Sequence, residues 1–143
     1  MNDFKKILIA IDDGPPAEKI ASVGFNLAKK MKAEIAVISV VDTTILMPDD
    51  GSSSAELANM IKNEYRESQQ MLVDKVFKGY KVWLFVENGN PYEVILKVAL
   101  EWEADVIVLG THGRTGLSHL LMGSVAEKVV RHSSIPLFIL PNN

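Results

Sequence analysis

The sequence predicts an α/β fold in which a parallel sheet carries helices on both faces. Three observations lead there. Near-continuous apolar runs alternate with helix-period segments in the order β-α-β-α-β-α-β-α-β, which favours a parallel sheet with crossover helices. The strand-like runs lack polar alternation, as strands covered on both faces require. The chain has 143 residues, of which 48% are hydrophobic and 23% charged, a size and composition suited to one domain with a sizeable core. The expectation is a single domain over 1–143, a three-layer Rossmann-like sandwich.

Each element has its own signal. "KILIAID" (6–12) is the first buried strand. Ile20, Gly24, Leu27, Ala28 and Met31 then recur on one helical face. "AEIAVISVVD" (33–42) is the second strand, and Leu57, Ile61, Tyr65, Leu72 and Val76 mark a long second helix. "KVWLFVE" (81–87) is the third strand, followed by a stripe of Val94, Ile95, Val98, Ala99 and Trp102. "ADVIVLG" (104–110) is the fourth. Val125, Ala126, Val129 and Val130 line the last helix, and "IPLFIL" (135–140) is the fifth strand. The long irregular stretch "TTILMPDDGSSS" (43–54) is a lid or surface loop.

Composition removes several function classes. A formal charge of −3, with Lys and Arg dispersed, argues against a nucleic-acid partner, which needs a basic face. The chain has no cysteine, which removes disulfides, thiolate metal sites and cysteine nucleophiles. The apolar run near the N-terminus is too short to span a membrane and lacks a cleavage pattern, so a cytoplasmic protein without membrane association is expected.

Ligands of open parallel sheets bind outside the carboxyl ends of the strands, where strand order reverses. That points to the turns "DDGPP", "VDTT", "ENGNP" and "GTHG". The last opens "GTHGRTGLSHLLMGS" (110–124), which holds four of the nine glycines. Two readings of this loop are open. It is a glycine-rich turn whose serine caps a helix, or the free N–H groups of Gly123, Ser124 and Val125 form an anion cradle that Gly113 lets a phosphate approach. It is neither a P-loop nor a G-x-G-x-x-G dinucleotide loop.

The spacing G-x2-G-x9-G-S resembles the ATP-binding signature of the universal stress protein family. "KKILIAIDD", "SVVD" and the segment from "ADVIVLG" to "IPLFIL" resemble it too, so the likeness covers nearly the whole chain, with 43–80 matching only in pattern. The resemblance implies a five-stranded sheet of order 3-2-1-4-5, which makes strands one and four neighbours at the switch point. It also implies an adenine nucleotide (ATP, or AMP or ADP) as ligand. Asp12 would contact the adenosine, Val40 would lie by the adenine, and Leu109 and Gly110 would offer backbone contacts. Gly113, Gly123, Ser124 and Val125 would hold the phosphates. His112 and Arg114, in the same loop, are either further phosphate contacts or solvated residues.

The chain departs from the family after Asp12, where Asp13-Gly14-Pro15-Pro16 replaces a small residue and serine. Asp13 either caps the first helix or helps hold Mg²⁺. His119 and His132 read as surface or packing residues. Ile45, Leu46 and Met47 either cover a ligand or a subunit neighbour, or pack on the sheet end. The last strand is apolar on both faces yet lies at a sheet edge, and edges of that kind invite pairing. The resemblance implies a homodimer through 135–140.

Two rivals are weaker, the first because required groups are missing and the second on context. A phosphoacceptor receiver domain needs Asp after strand three and Lys after strand five, where the chain reads "FVENGNP" and "LFILPNN". A "GRTG" RNA-binding loop does not suit the apolar βαβ context. With no general base, P-loop lysine or arginine finger apparent, any ATP hydrolysis would be slow. The expected role is a stress-response sensor or regulator. The alternative is a protein-interaction module of the same fold without a nucleotide.

Overall fold

The computed structural model describes residues 4–12, 14–46, 53–111 and 122–141. Its elements run β1 (Lys6–Ala10), α1 (Ala17–Met31), β2 (Glu34–Asp42), α2 (Ser54–Val76), β3 (Val82–Gly89), α3 (Pro91–Trp102), β4 (Val106–Gly110), α4 (Ser124–His132) and β5 (Leu137–Leu140). The five strands form one sheet in the order β3-β2-β1-β4-β5, and every pair is parallel. The α/β alternation and the implied strand order therefore both hold.

Alternation along the central strands sorts their side chains into two cores. Ile7, Ile9, Ile35, Val37, Val106 and Val108 face the layer built by α1 and α2. Leu8, Ala36, Ile38, Ile107 and Leu109 face the layer built by α3 and α4. Both sets are buried, so β1, β2 and β4 have no wet face and need no polar alternation.

Close approach of α1 to β1 depends on Gly24. A Cβ built at that position would lie 2.5 Å from Ile9 Cδ1 and 2.9 Å from Ile9 Cγ1. The helix stops at Lys32, whose left-handed backbone (φ 53°) returns its N–H to the carbonyls of Ala28 and Lys29. Helix α2 starts at Ser53, whose hydroxyl accepts the Glu56 N–H at 3.1 Å, the first half of a capping box. At the opposite end of the sheet, the Asp105 carboxylate accepts the N–H groups of Lys5 and Lys6, both at 2.9 Å. One side chain thus sets the start of β1 against the start of β4.

Some boundaries differ from the sequence expectation. The first strand leaves the ladder after Ala10, although Ile11 still donates to Ile38 O at 3.0 Å. The last strand begins at Leu137, because Ser133 folds Ile135 into a local turn, its Oγ accepting the Ile135 N–H at 3.0 Å. Pro136 contributes only its carbonyl, which accepts from Ile107. His132 is exposed and stacks on Tyr92 at 5.4 Å, which combines its two expected roles. Among the described residues, no helix is long and apolar enough to cross a membrane.

Candidate functional site at the carboxyl edge

The strands β1 and β4 are neighbours, with Ile9 opposite Val108. Past their carboxyl ends the chain turns to α1 on one face and to α4 on the other. The edge therefore splits between these two strands, which is where an open α/β sheet offers a ligand crevice.

Asp12 stands just beyond β1, half-buried, and its Oδ1 accepts the Gly14 N–H at 2.9 Å. This Asx turn holds the carboxylate at the mouth while the chain drops into α1. Val40 lies on the neighbouring β2, opposite Glu87 of β3, and packs with the α3/α4 core. Leu109 is buried in that same core and pairs with Ile139, whereas Gly110 ends β4 opposite Leu140.

Thr111 is held from both sides. Its N–H donates to Leu140 O at 2.9 Å, and its carbonyl accepts the Gly123 N–H at 2.6 Å. Gly123 is the N-cap of α4, in extended conformation (φ −70°, ψ 166°). Ser124 is the first helical residue rather than the cap, so the reading of a serine that merely caps its helix does not describe this turn. Gly123 spends its N–H on Thr111. The first-turn N–H groups of Ser124 and Val125, both exposed, are the donors aligned with the positive end of the helix dipole.

The structure thus brings Asp12, Val40, Leu109, Gly110, Gly123, Ser124 and Val125 to one edge of the sheet. His112, Gly113, Arg114 and Asp13 lie outside the described residues, as do Met47 and His119. Ile45 is exposed in the turn after β2. Among the described residues no three His, Asp or Glu side chains converge in a way that could hold a metal ion. Tyr92, at the start of α3, has its phenol raised above the ordinary range by desolvation and then by the Glu93 carboxylate, which accepts its proton at 3.3 Å. Thr111 was not singled out from sequence. Its contribution is a backbone carbonyl, which no residue-type pattern reports.

These features define a class: a doubly wound α/β protein whose switch-point crevice lies between a carboxylate and a helix N-terminus. Within that class, the chain belongs to the universal stress protein family, whose family model matches residues 3–141. It is 34% identical to the universal stress protein MJ0531 of Methanocaldococcus jannaschii, an alignment covering 97% of this chain and 83% of the relative. It is 30% identical to MJ0577 of the same organism, covering 96% and 94%. A solved structure of MJ0577 superposes with a TM-score of 0.82 over 99% of both chains, at 27% identity. The universal stress protein UspA of Lactobacillus plantarum shares the fold with a TM-score of 0.78 at 22% identity, covering 98% of this chain and 99% of that one.

Proposed function

We propose that this chain binds an adenine nucleotide, ATP, along the carboxyl edge of the sheet and acts as a stress-response sensor or regulator. The observation that carries the reading is the Gly123–Thr111 hydrogen bond. It fixes the N-terminus of α4 beside the end of β4, so the donors of Ser124 and Val125 stand next to the strand that neighbours Asp12. A triphosphate suits those donors, which carry the partial positive charge of the helix N-terminus. Ribose hydroxyls suit the Asp12 carboxylate as an acceptor, and an adenine ring suits the apolar side chain of Val40.

Gly113, His112 and Arg114 complete the phosphate end by their place in the G-x2-G-x9-G-S signature, and Asp13 would meet a nucleotide-bound Mg²⁺. A solved universal stress protein described as a complex with cAMP shares the fold (TM-score 0.64, 17% identity). AMP and ADP fit the same donor and acceptor set with fewer phosphate contacts.

Thermal unfolding with and without ATP and Mg²⁺ tests the reading. A ligand at one hundred times its Kd adds about 2.7 kcal/mol to the native state. No stabilisation at millimolar ATP, ADP or AMP would reject nucleotide binding and leave a protein-interaction module.

The second part of the proposal is a homodimer through β5 and its approach, residues 135–140. Among the described residues β5 ends the sheet and pairs with β4, and Phe138 exposes 38% of its surface there. An apolar edge in that position gains by pairing with its copy.

A further inference from the structure

On the α1/α2 face of the sheet lies a cavity of about 430 Å³. Its floor carries the two buried polar side chains among the described residues, Ser39 of β2 (4% exposed) and Gln69 of α2 (2% exposed). Gln69 Nε2 donates to Ser39 Oγ at 3.2 Å and to the Phe85 carbonyl at 3.1 Å. A backbone carbonyl can only accept, so the amide nitrogen must face Phe85, and both of its N–H groups are used.

Two bonding capacities remain. Among the described residues, Gln69 Oε1 receives no hydrogen bond and the Ser39 hydroxyl proton goes to no acceptor. No buried side-chain oxygen or nitrogen is sealed away without a partner there, so Oε1 faces the open volume that Gln69 lines. A neutral acceptor and a neutral donor therefore stand side by side at the floor. Left unbonded, such a buried pair costs stability. Water serves it poorly, because beside Ile11, Ala17 and Leu72 a water molecule finds few partners.

The lining also selects on charge. Both carboxylates that border the cavity are engaged, Asp12 Oδ1 by the Gly14 N–H at 2.9 Å and Glu18 by the Lys75 ammonium at 3.0 Å. No Lys, Arg or His is among the described lining residues. A charged group at the floor would meet neutral dipoles alone and would bear the full cost of leaving water. Strand alternation sets this floor apart from the groups given above to the nucleotide. Val40 and Leu109 pack with the α3/α4 core, as do Ala126 and Val129 of α4, whereas Ile11 packs with the α1/α2 core.

We propose that this cavity binds an uncharged carboxamide with a small apolar body. The ligand N–H donates to Gln69 Oε1, the ligand carbonyl accepts from Ser39 Oγ, and the body lies on Ile11 and Leu72. The volume lies within the range typical of small-molecule sites. This goes beyond the nucleotide reading and stands whether or not a nucleotide binds.

The test is an NMR titration of the full chain that follows the Gln69 side-chain amide. Four probes of nearly one shape differ in charge and in hydrogen-bonding capacity: benzamide, benzoate, benzamidinium and acetophenone. Benzamide should saturate the Gln69 shift. Acetophenone, which accepts but cannot donate, should bind several-fold more weakly. Benzoate and benzamidinium should each bind at least about tenfold more weakly than benzamide. Ser39→Ala, with its fold checked by circular dichroism, should weaken benzamide by up to about tenfold. ATP at millimolar concentration should leave the benzamide affinity within a few-fold.

No Gln69 shift with any probe would mean that the cavity holds water only, and would overturn the proposal. Equal binding of all four probes, or tightest binding of either ion, would overturn it as well. So would an unchanged benzamide affinity in Ser39→Ala. Competitive displacement of benzamide by ATP would make the cavity part of the nucleotide site and overturn it too.

Discussion

The Gly123 N–H donates to the Thr111 carbonyl at 2.6 Å, and this one bond determines where the N-terminus of α4 stands. A residue with a side chain can make it, because Gly123 has φ −70° and needs no left-handed backbone. The torsion of this position therefore gives no reason for glycine, which directs attention to what it does for a ligand. Gly123→Val should retain the Thr111 bond and cost only the few tenths to about 1 kcal/mol of a poorer N-cap. The added side chain would stand beside the Ser124 and Val125 donors. ATP at one hundred times its wild-type Kd should raise the wild-type Tm by roughly 5–10 °C. In Gly123→Val that shift should vanish while the circular dichroism spectrum is unchanged. An undiminished shift would place the phosphates elsewhere.

The carboxylate on the other side of the crevice makes a separable contribution. Asp12→Asn keeps an acceptor for the Gly14 N–H, so the turn into α1 should persist. It removes the charge and turns part of the acceptor capacity into donors. ATP affinity measured by calorimetry should fall about tenfold, the worth of one hydrogen bond to a charged group. Equal affinity in Asp12→Asn and wild type would remove Asp12 from the nucleotide contacts.

Where the chemistry follows residue type and spacing, the sequence is readable. The strand alternation comes from apolar runs, while the strand order with its switch point comes from the family likeness that the glycine spacing carries, and the elements stand in that order. Backbone events are different. The shift of the last strand to Leu137 depends on the Ser133 hydroxyl folding Ile135 into a turn, and no periodicity registers that. Gln69 was visible in a sense that apolar counting discards. It continues the i, i+4 series Leu57, Ile61, Tyr65 on the inner face of α2, and is the polar member of that row. Ser39 likewise interrupts an apolar strand, between Ile38 and Val40. A polar residue in phase with a core stripe is a stronger signal than any of the apolar ones around it.

The β5 edge predicts an oligomeric state. Sedimentation equilibrium at micromolar concentration should give twice the 15.8 kDa mass of the chain. Phe138→Lys places a charge on the exposed side of an edge strand, which blocks edge pairing. That variant should sediment as a folded monomer. A wild-type protein that is monomeric under the same conditions would remove the dimer.

Asp105 joins β1 to β4 through two backbone N–H groups. Asp105→Ala leaves both donors without that partner, and the Lys6 bond is the more shielded of the two. Loss of such bonds costs about 1–3 kcal/mol, and at this chain length each kcal/mol moves the Tm by about 2–4 °C. Because Asp105 lies at the end of the sheet opposite the crevice, ATP-induced stabilisation measured from the lowered baseline should be unchanged.

The contact between Gly24 and Ile9 sets two known effects against each other. Alanine in a helix interior is favoured over glycine by about 1 kcal/mol, so Gly24→Ala would stabilise α1 if space allowed. Space does not allow it, because the new Cβ would fall 2.5 Å from Ile9 Cδ1 and 2.9 Å from Cγ1, and Ile9 is fully buried. Overpacking of this kind costs about 1–3 kcal/mol, so Gly24→Ala should be neutral to destabilising. Gly24→Val, with two more methyl groups and a smaller propensity gain, should lose more. Ile9→Val removes the Cδ1 atom responsible for the shortest contact and alone costs about 0.5–1.5 kcal/mol. The double variant Gly24→Ala/Ile9→Val should therefore be more stable than the two single losses added together, by about 1 kcal/mol of coupling. Additive denaturation free energies would mean that α1 moves away from β1 instead of pressing on Ile9. In that case the distance between helix and strand, and not the Ile9 side chain, is what glycine sets.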